Sequence, residues 1–440
     1  MHIPDGYIGP IMSLGSALVT VPVWSIAVKR VQKILSNRTV PLMAIFAAFS
    51  FTIMMFNVPV PGGTTAHGVG GTLAAVVLGP AAAIVTVSMS LIIQALFFGD
   101  GGILAIFINC LNMAIILPLV GYGVYRLIAG RSPILSNRRV WAAGIGAYVG
   151  ITASALAVGI ELGLQPILFS NAGMPLYSPY GLAQAIPAML ISHIFGASAV
   201  EAIITSLGVA YMQKRYPEYL TSLRAVFAGP GVVEGKQVGR PIWQILAMGV
   251  AALVASLFVL GFISGGFDMG HMFGADWSQV SWADVGNMLL VVLIIAIVLI
   301  PLTYFLLPKR FKGVGTAFMA AAIIAPLGLI APGFAYGEGS TDDVRAAFGY
   351  VPKGLQDLST WFSALFSGYK IKLPFFSDTN AALWQTAIGY EISGIIGILV
   401  VGLAVFGVMY LLRRRAPKIH DQDKAPVAVR ASRARKGTEV

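Results

Sequence analysis

The chain is dominated by apolar runs, most of them near the roughly 20 residues a helix needs to cross a bilayer, separated by short polar stretches. They lie at about 11–31, 41–59, 69–79, 81–98, 103–127, 140–162 and 182–212, then at 241–265, 286–307, 314–334 and 388–412. In lipid, backbone polar groups are satisfied only within helices or closed barrels, and runs of this length point to helices. Only 11% of the residues are charged, against 57% hydrophobic. A soluble domain needs a more charged surface, which excludes an ordinary globular enzyme. The expected fold is an all-α polytopic membrane protein in contact with the lipid bilayer.

The formal charge of +11 does not indicate a nucleic-acid partner, because Lys and Arg sit in short clusters between apolar runs. That is the pattern by which cytoplasmic loops orient a membrane protein. Lys29, Arg30, Lys33 and Arg38 follow the first run, Lys214, Arg215 and Arg224 the seventh, and Arg413, Arg414 and Arg415 the last. A single pass over 69–98 puts Arg126, Arg131, Arg138 and Arg139 outside. Two passes turning at the Gly79–Pro80 breaker put every cluster inside. Eleven passes follow, with the N-terminus outside and the C-terminus in the cytoplasm. Residues 1–224 form one expected membrane domain, 225–240 a linker, 241–309 a two-helix segment without an assigned role, 310–415 a further domain with an outer loop, and 416–440 a basic disordered tail.

No basic, cleavable leader precedes the first run, so Met1 is expected to stay in the mature chain. With His2 next, three nitrogens are available to one metal ion: the Met1 amine, the His2 amide and the His2 imidazole Nδ1. They close a five- and a six-membered ring and occupy three corners of a square plane, a geometry suited to Ni(II) and Cu(II). Cys110 is the single cysteine, so no thiolate cluster competes with nitrogen donors. On this topology His67, in NVPVPGGTTAHGVGG, lies on the same side as Met1 and is the candidate fourth donor. Asn57, Thr64 and Thr65 are candidates to orient it or to satisfy the backbone around Pro59–Gly63, which cannot continue a helix. A solvated terminal His2 and a surface His67 are the bland alternatives.

These residues carry a resemblance. MHIPDGY at the start, MMFNVPVPGGTTAHGVGGTLAAVVLGP at 54–80 and SHIFGASAVEAIIT at 192–205 resemble the CbiM/NikM family of cobalt and nickel transport subunits. The resemblance covers roughly 1–224. It implies a seven-helix substrate-binding subunit of an energy-coupling-factor importer, with metal held by Met1, His2 and His67. It also implies two kinds of partner chain, a transmembrane coupling subunit and ABC-type ATPases, in a prokaryotic cytoplasmic membrane. Ala66 stands where nickel-type relatives are expected to carry Gly. The spans at 314–334 and 388–412, flanking an outer loop, resemble the family's small accessory subunit, the NikN or PDGLE-type partner. Its PDGLE motif reads Pro352-Lys353-Gly354-Leu355-Gln356, matching at three of five positions.

His193 and Glu201 fall within the seventh run, where ionisable groups are costly. They serve either a metal or proton path or the packing of helices. Met54, Met55 and Met89 line a soft exit route or fill space, and Asn109 and Asn112 are expected to bond across helices. The nearest Walker-like string, GVVEGKQ at 231–237, has the wrong glycine spacing and Gln237 in place of Ser or Thr. No nucleotide site, catalytic constellation or prosthetic group is expected, and Ni2+ or Co2+ is expected as cargo. A self-sufficient ion-coupled transporter and a membrane metal sensor are the alternative functions.

Overall fold

The computed structural model describes residues 1–37, 39–60, 64–217, 220, 280–306, 312–330, 336–377 and 381–415. The linker at 225–240, the span at 241–265, the string at 231–237 and the tail from 416 lie outside the described residues. So does most of the loop at 266–285.

Helix α1 (Pro10–Gln32) begins with Pro10 in the first turn, where its missing N–H costs nothing. Much of its apolar surface is bare, Leu18 being 79% exposed. Helix α2 (Thr39–Met55) is apolar all round and buried. Two short antiparallel strands follow, β1 (Asn57–Val60) and β2 (Thr64–His67), pairing Asn57 with His67 and Val58 with Ala66. The expected irregular loop is thus a hairpin, since paired strands also satisfy backbone that Pro59 and Pro61 keep from being helical. Ala66 is buried and adopts ordinary strand backbone, so its Cβ brings no strain there.

Helix α3 (Gly71–Leu78) is buried along its whole length. Eight residues make about 12 Å of helix, less than half a bilayer core. The chain turns at Gly79 (φ 88°), a conformation open to glycine, and Pro80 starts α4 (Pro80–Phe98). Helices α5 (Ile106–Ala129), α6 (Asn137–Leu168) and α7 (Leu182–Arg215) complete this half. A π-turn interrupts α4 at Gln94–Phe98, α5 at Cys110–Ile116 and α7 at His193–Ala197. Such turns rotate the side-chain faces beyond them and recur at functional sites.

The second half contributes α8 (Trp282–Leu306), α9 (Lys312–Ile324), the short α10 (Thr341–Phe348) and α11 (Lys353–Leu358), and the long α12 (Leu383–Arg415). Among the described residues seven helices are long and apolar enough to cross a membrane. The exposed Leu, Ile and Phe of α1, α8 and α12 would not survive in water, so the chain is a multi-pass, all-α membrane protein. Helix α12 lies along α2: a Cβ at Gly397 would meet the Phe51 ring, and Tyr390 donates to the Met55 carbonyl at 2.8 Å. Met54 and Met55 are buried in this packing.

Small residues let α5 and α6 approach closely. A Cβ at Gly150 would sit 2.6 Å from the Leu117 carbonyl oxygen, and one at Gly146 2.5 Å from that of Gly121. We expect Gly150→Val to force these helices apart at a cost of about 1–3 kcal/mol or more. Detergent-extracted protein should then melt at a lower temperature by dye-monitored thermal unfolding.

Candidate metal centre

The first nine residues precede any helix, yet they are buried: Met1, His2, Ile3, Tyr7 and Ile8 are each at most 5% exposed. A polar backbone at that depth needs a partner for every group. Asn109, before the π-turn of α5, supplies two at once: its Oδ1 accepts from the Ile3 N–H at 2.9 Å and its Nδ2 donates to the Ile3 carbonyl at 3.0 Å. The Gly102 N–H donates to the same carbonyl at 2.8 Å. Asp5 accepts from the Ile103 and Leu104 N–H groups at 3.1 and 2.8 Å and from the Trp361 indole at 2.7 Å. Gly9 N–H donates to Gln165 at 2.9 Å, and Tyr7 donates to the Gly339 carbonyl at 2.7 Å. The N-terminal segment is therefore clamped between α4–α5, α6 and the second half of the chain.

This threading brings Met1, His2 and His67 together. The His2 and His67 rings stack with centroids 5.0 Å apart. His67 Nδ1 lies 2.9 Å from the Gly68 carbonyl, which assigns its proton there and leaves the Nε2 lone pair available. Among the described residues, the Nε2 atoms of both His2 and His67 are buried without a hydrogen-bond partner. Burial, reinforced by the nearby terminal ammonium, holds both imidazoles well below the usual histidine range, so they are neutral near pH 7. Neutral imidazole is the metal-binding form.

Two carboxylates that composition alone did not single out occupy the remaining donors. The Met1 amine is 3.0 Å from Glu338 Oε1, and His2 Nδ1 is 3.0 Å from Asp100 Oδ1. Asp100 also receives hydrogen bonds from Tyr369 and, at 3.2 Å, from Gln94. Burial pushes its carboxyl up to about 6 against the pull of Tyr369 and the terminal ammonium. Chelation through the amine and Nδ1 would exchange these two contacts for an ion. Among the described residues no group of three or more His, Cys, Asp or Glu side chains is arranged to hold a metal ion.

Asn57, Thr64 and Thr65 lie on the hairpin that carries His67, opposite His67, Val60 and Pro59 respectively; their side chains lie outside the described residues. Glu201, on α7, accepts from the Val69 and Gly70 N–H groups at 2.7 and 2.9 Å, capping the start of α3 just beyond His67. His193 Nδ1 faces the Met189 carbonyl at 2.7 Å, within the π-turn of α7. Asn112 donates to Glu161 on α6.

The match with known proteins can be set beside this geometry. Residues 2–219 match the model of the cobalt uptake substrate-specific transmembrane region, CbiM. A fused nickel transport protein, NikMN, of Rhodobacter capsulatus is 44% identical over 280 residues, covering 63% of this chain and 77% of that one. A putative metal transport protein of Methanocaldococcus jannaschii is 45% identical over 230 residues, 52% of this chain and 99% of the other. The chain belongs to the CbiM/NikM family. A probable fused nickel transport protein, LarMN, of Lactiplantibacillus plantarum is 48% identical over 223 residues, covering 50% of this chain and 66% of that one. A crystal structure of a truncated transition metal transporter aligns at TM-score 0.46 with 54% identity, over 49% of this chain and 99% of that one. Cobalt or nickel is the cargo that the family transports.

The CbiM-matching region stops well short of Glu338. In this CbiM/NikM chain the second half nevertheless packs on the N-terminal segment through its PDGLE-like motif. Leu355 is buried against Gly6, where a Cβ would come within 2.9 Å of the Leu355 backbone. Gly354 N–H donates to the Leu176 carbonyl at 2.7 Å, and Pro352 is buried. Lys353 and Gln356, the two positions that depart from the motif, are exposed, and Lys353 pairs with Asp357 on the surface. The positions that match are those making contacts. We expect Asn109→Leu to strand the buried Ile3 N–H, at about 1–3 kcal/mol. The Met1 amine should then label faster with an amine-reactive reagent, read by mass spectrometry of the N-terminal peptide.

Proposed function

We propose that this chain is the substrate-capturing subunit of an energy-coupling-factor importer for Ni2+ or Co2+. It binds the ion through the Met1 amine, the His2 amide and Nδ1, and His67 Nε2. The observation that carries this reading is the burial of two stacked, neutral imidazoles beside the terminal amine, with His67 Nε2 lacking a partner among the described residues. A buried imidazole nitrogen without a hydrogen bond is costly unless another ligand completes it. Four nitrogens in a plane favour Ni(II) over Zn(II), Mg(II) and Ca(II).

ATP hydrolysis in this proposal comes from separate ABC-type ATPases, joined through a transmembrane coupling subunit. The domain boundaries proposed are 1–224 for metal capture and 310–415 for the accessory domain. The basic clusters support an N-terminus outside: Arg413, at the end of α12, bonds Asn37, just beyond the end of α1, so these two basic helix ends lie together, as cytoplasmic ends would. The hydrogen bonds that Glu201 accepts favour packing over an ion path for that carboxylate.

The deciding experiment compares metal content of the purified full chain bearing its native start with a version lengthened by one N-terminal residue. The extension moves His2 out of the two-ring chelate, and we expect bound Ni2+ affinity to fall by about tenfold or more, with His67→Ala losing a similar amount. Equal loading of the lengthened chain would refute the coordination. Binding displaces protons from the amine and the amide but none from the already neutral imidazoles. Affinity should therefore weaken as pH falls, by up to about a hundredfold per unit below neutrality, in competition titrations against a chromophoric chelator.

A further inference from the structure

Beside Glu338 lies a cavity of about 420 Å³, walled by the N-terminal segment (Pro4, Asp5, Tyr7), the loop Gly99–Ile103 and the second half of the chain from Glu338 onward. Two carboxylates line it, Asp5 and Glu338. Asp5 is committed: two backbone N–H groups and the Trp361 indole converge on its oxygens. Glu338 is differently placed. Its side chain is 25% accessible while the amine it touches is fully buried, so it stands across the boundary between cavity and metal centre. Its backbone is held there by the neighbouring Gly339 carbonyl, which accepts from buried Tyr7. The amine it contacts is one of the proposed donors, at 3.0 Å.

We propose that Glu338 is the relay carboxylate through which a divalent cation passes from this cavity to the Met1–His2–His67 centre. The inference rests on the coordination proposed above and adds to it a residue from outside the CbiM-matching region. A carboxylate oxygen is a good transient ligand for a partly hydrated cation, and one at 3.0 Å from the amine is close enough to hold the ion while nitrogen replaces water. The second half of the chain then supplies a chemical group to loading as well as a roof over the site. The proposal differs from a clamp in its kinetics: a relay lowers the barrier in both directions, whereas a clamp that only positions the amine changes the equilibrium.

The test uses the full-length chain with its native N-terminus in lipid nanodiscs, Ni2+ as the probe, and stopped-flow competition with a chromophoric chelator. Glu338→Gln keeps the shape and an acceptor for the amine but removes the charge. Association and dissociation should both slow by about tenfold or more, while Kd moves by less than about threefold. Glu338→Asp, which keeps the charge, should load faster than Glu338→Gln and shows that a slow variant is not merely misfolded. Association at the native rate in Glu338→Gln overturns the relay, as does a weakened Kd with unchanged association. His67→Ala separates the two readings. Native Ni2+ affinity in that variant removes the centre itself, whereas lost affinity there with native loading in Glu338→Gln removes the relay alone.

Discussion

Everything at the metal centre depends on keeping a charged chain terminus inside a membrane protein. An ammonium and nine residues of non-helical backbone have no place in a lipid-embedded bundle unless each polar group finds a partner. Asn109, Gly102, Gln165, Gly339 and Glu338 supply partners to the segment, and its own Asp5 accepts from Ile103, Leu104 and Trp361, so α5 with the loop before it, α6 and the second half all take part. The network is therefore satisfied only when all of these are in place. Burial does two further things. It keeps the imidazoles neutral, and it leaves His67 Nε2 without a partner among the described residues.

The same burial explains why carboxylates accompany the nitrogens. The buried ammonium attracts counter-charge strongly, and Glu338 lies 3.0 Å from it, while Asp100 accepts from the neutral His2 Nδ1 at 3.0 Å. These contacts satisfy the donors in the arrangement seen here and, on the proposed coordination, would be exchanged for metal. Loading is thus a substitution of partners and not the filling of a bare hole. On the proposed coordination, that makes the rate of loading sensitive to the carboxylates, although neither is a ligand in the square plane.

Much of this was legible in the residues. Apolar run lengths predicted the spans that α1, α4 to α8 and α12 occupy, and the Gly79–Pro80 turn falls where that dipeptide stands. The His2 chelate and His67 follow from chemistry at a chain start and from charge-based topology, and the structure brings them within stacking distance. The polar partners were not legible. Nothing near Asp100 or Glu338 in sequence marks either as facing residue 1 or 2, because the contacts span about 100 and 337 positions. Asn109 was readable as a buried helix polar group, but its partner is main chain, which carries no sequence signal. The hairpin at 57–67 was missed because its proline- and glycine-rich composition reads as irregular loop, and pairing across the turn decides otherwise.

The fusion of two membrane parts in one chain acquires a physical rationale from the PDGLE-like segment. Its buried Leu355 sits on Gly6, Gly354 pairs with Leu176, and Trp361 reaches Asp5, so the second half reads the position of the N-terminal segment directly. As separate chains these parts would have to associate at the low concentration of each in the membrane. Linked, they meet at an effective concentration set by the intervening residues, which reaches the millimolar range for short flexible connections. The packing of α12 along α2 carries the association, and the modest contacts at the segment itself, one backbone hydrogen bond and one indole–carboxylate bond, only have to place Glu338 over the amine. A weak, repeatedly made contact is also what a group that must let its partner go requires.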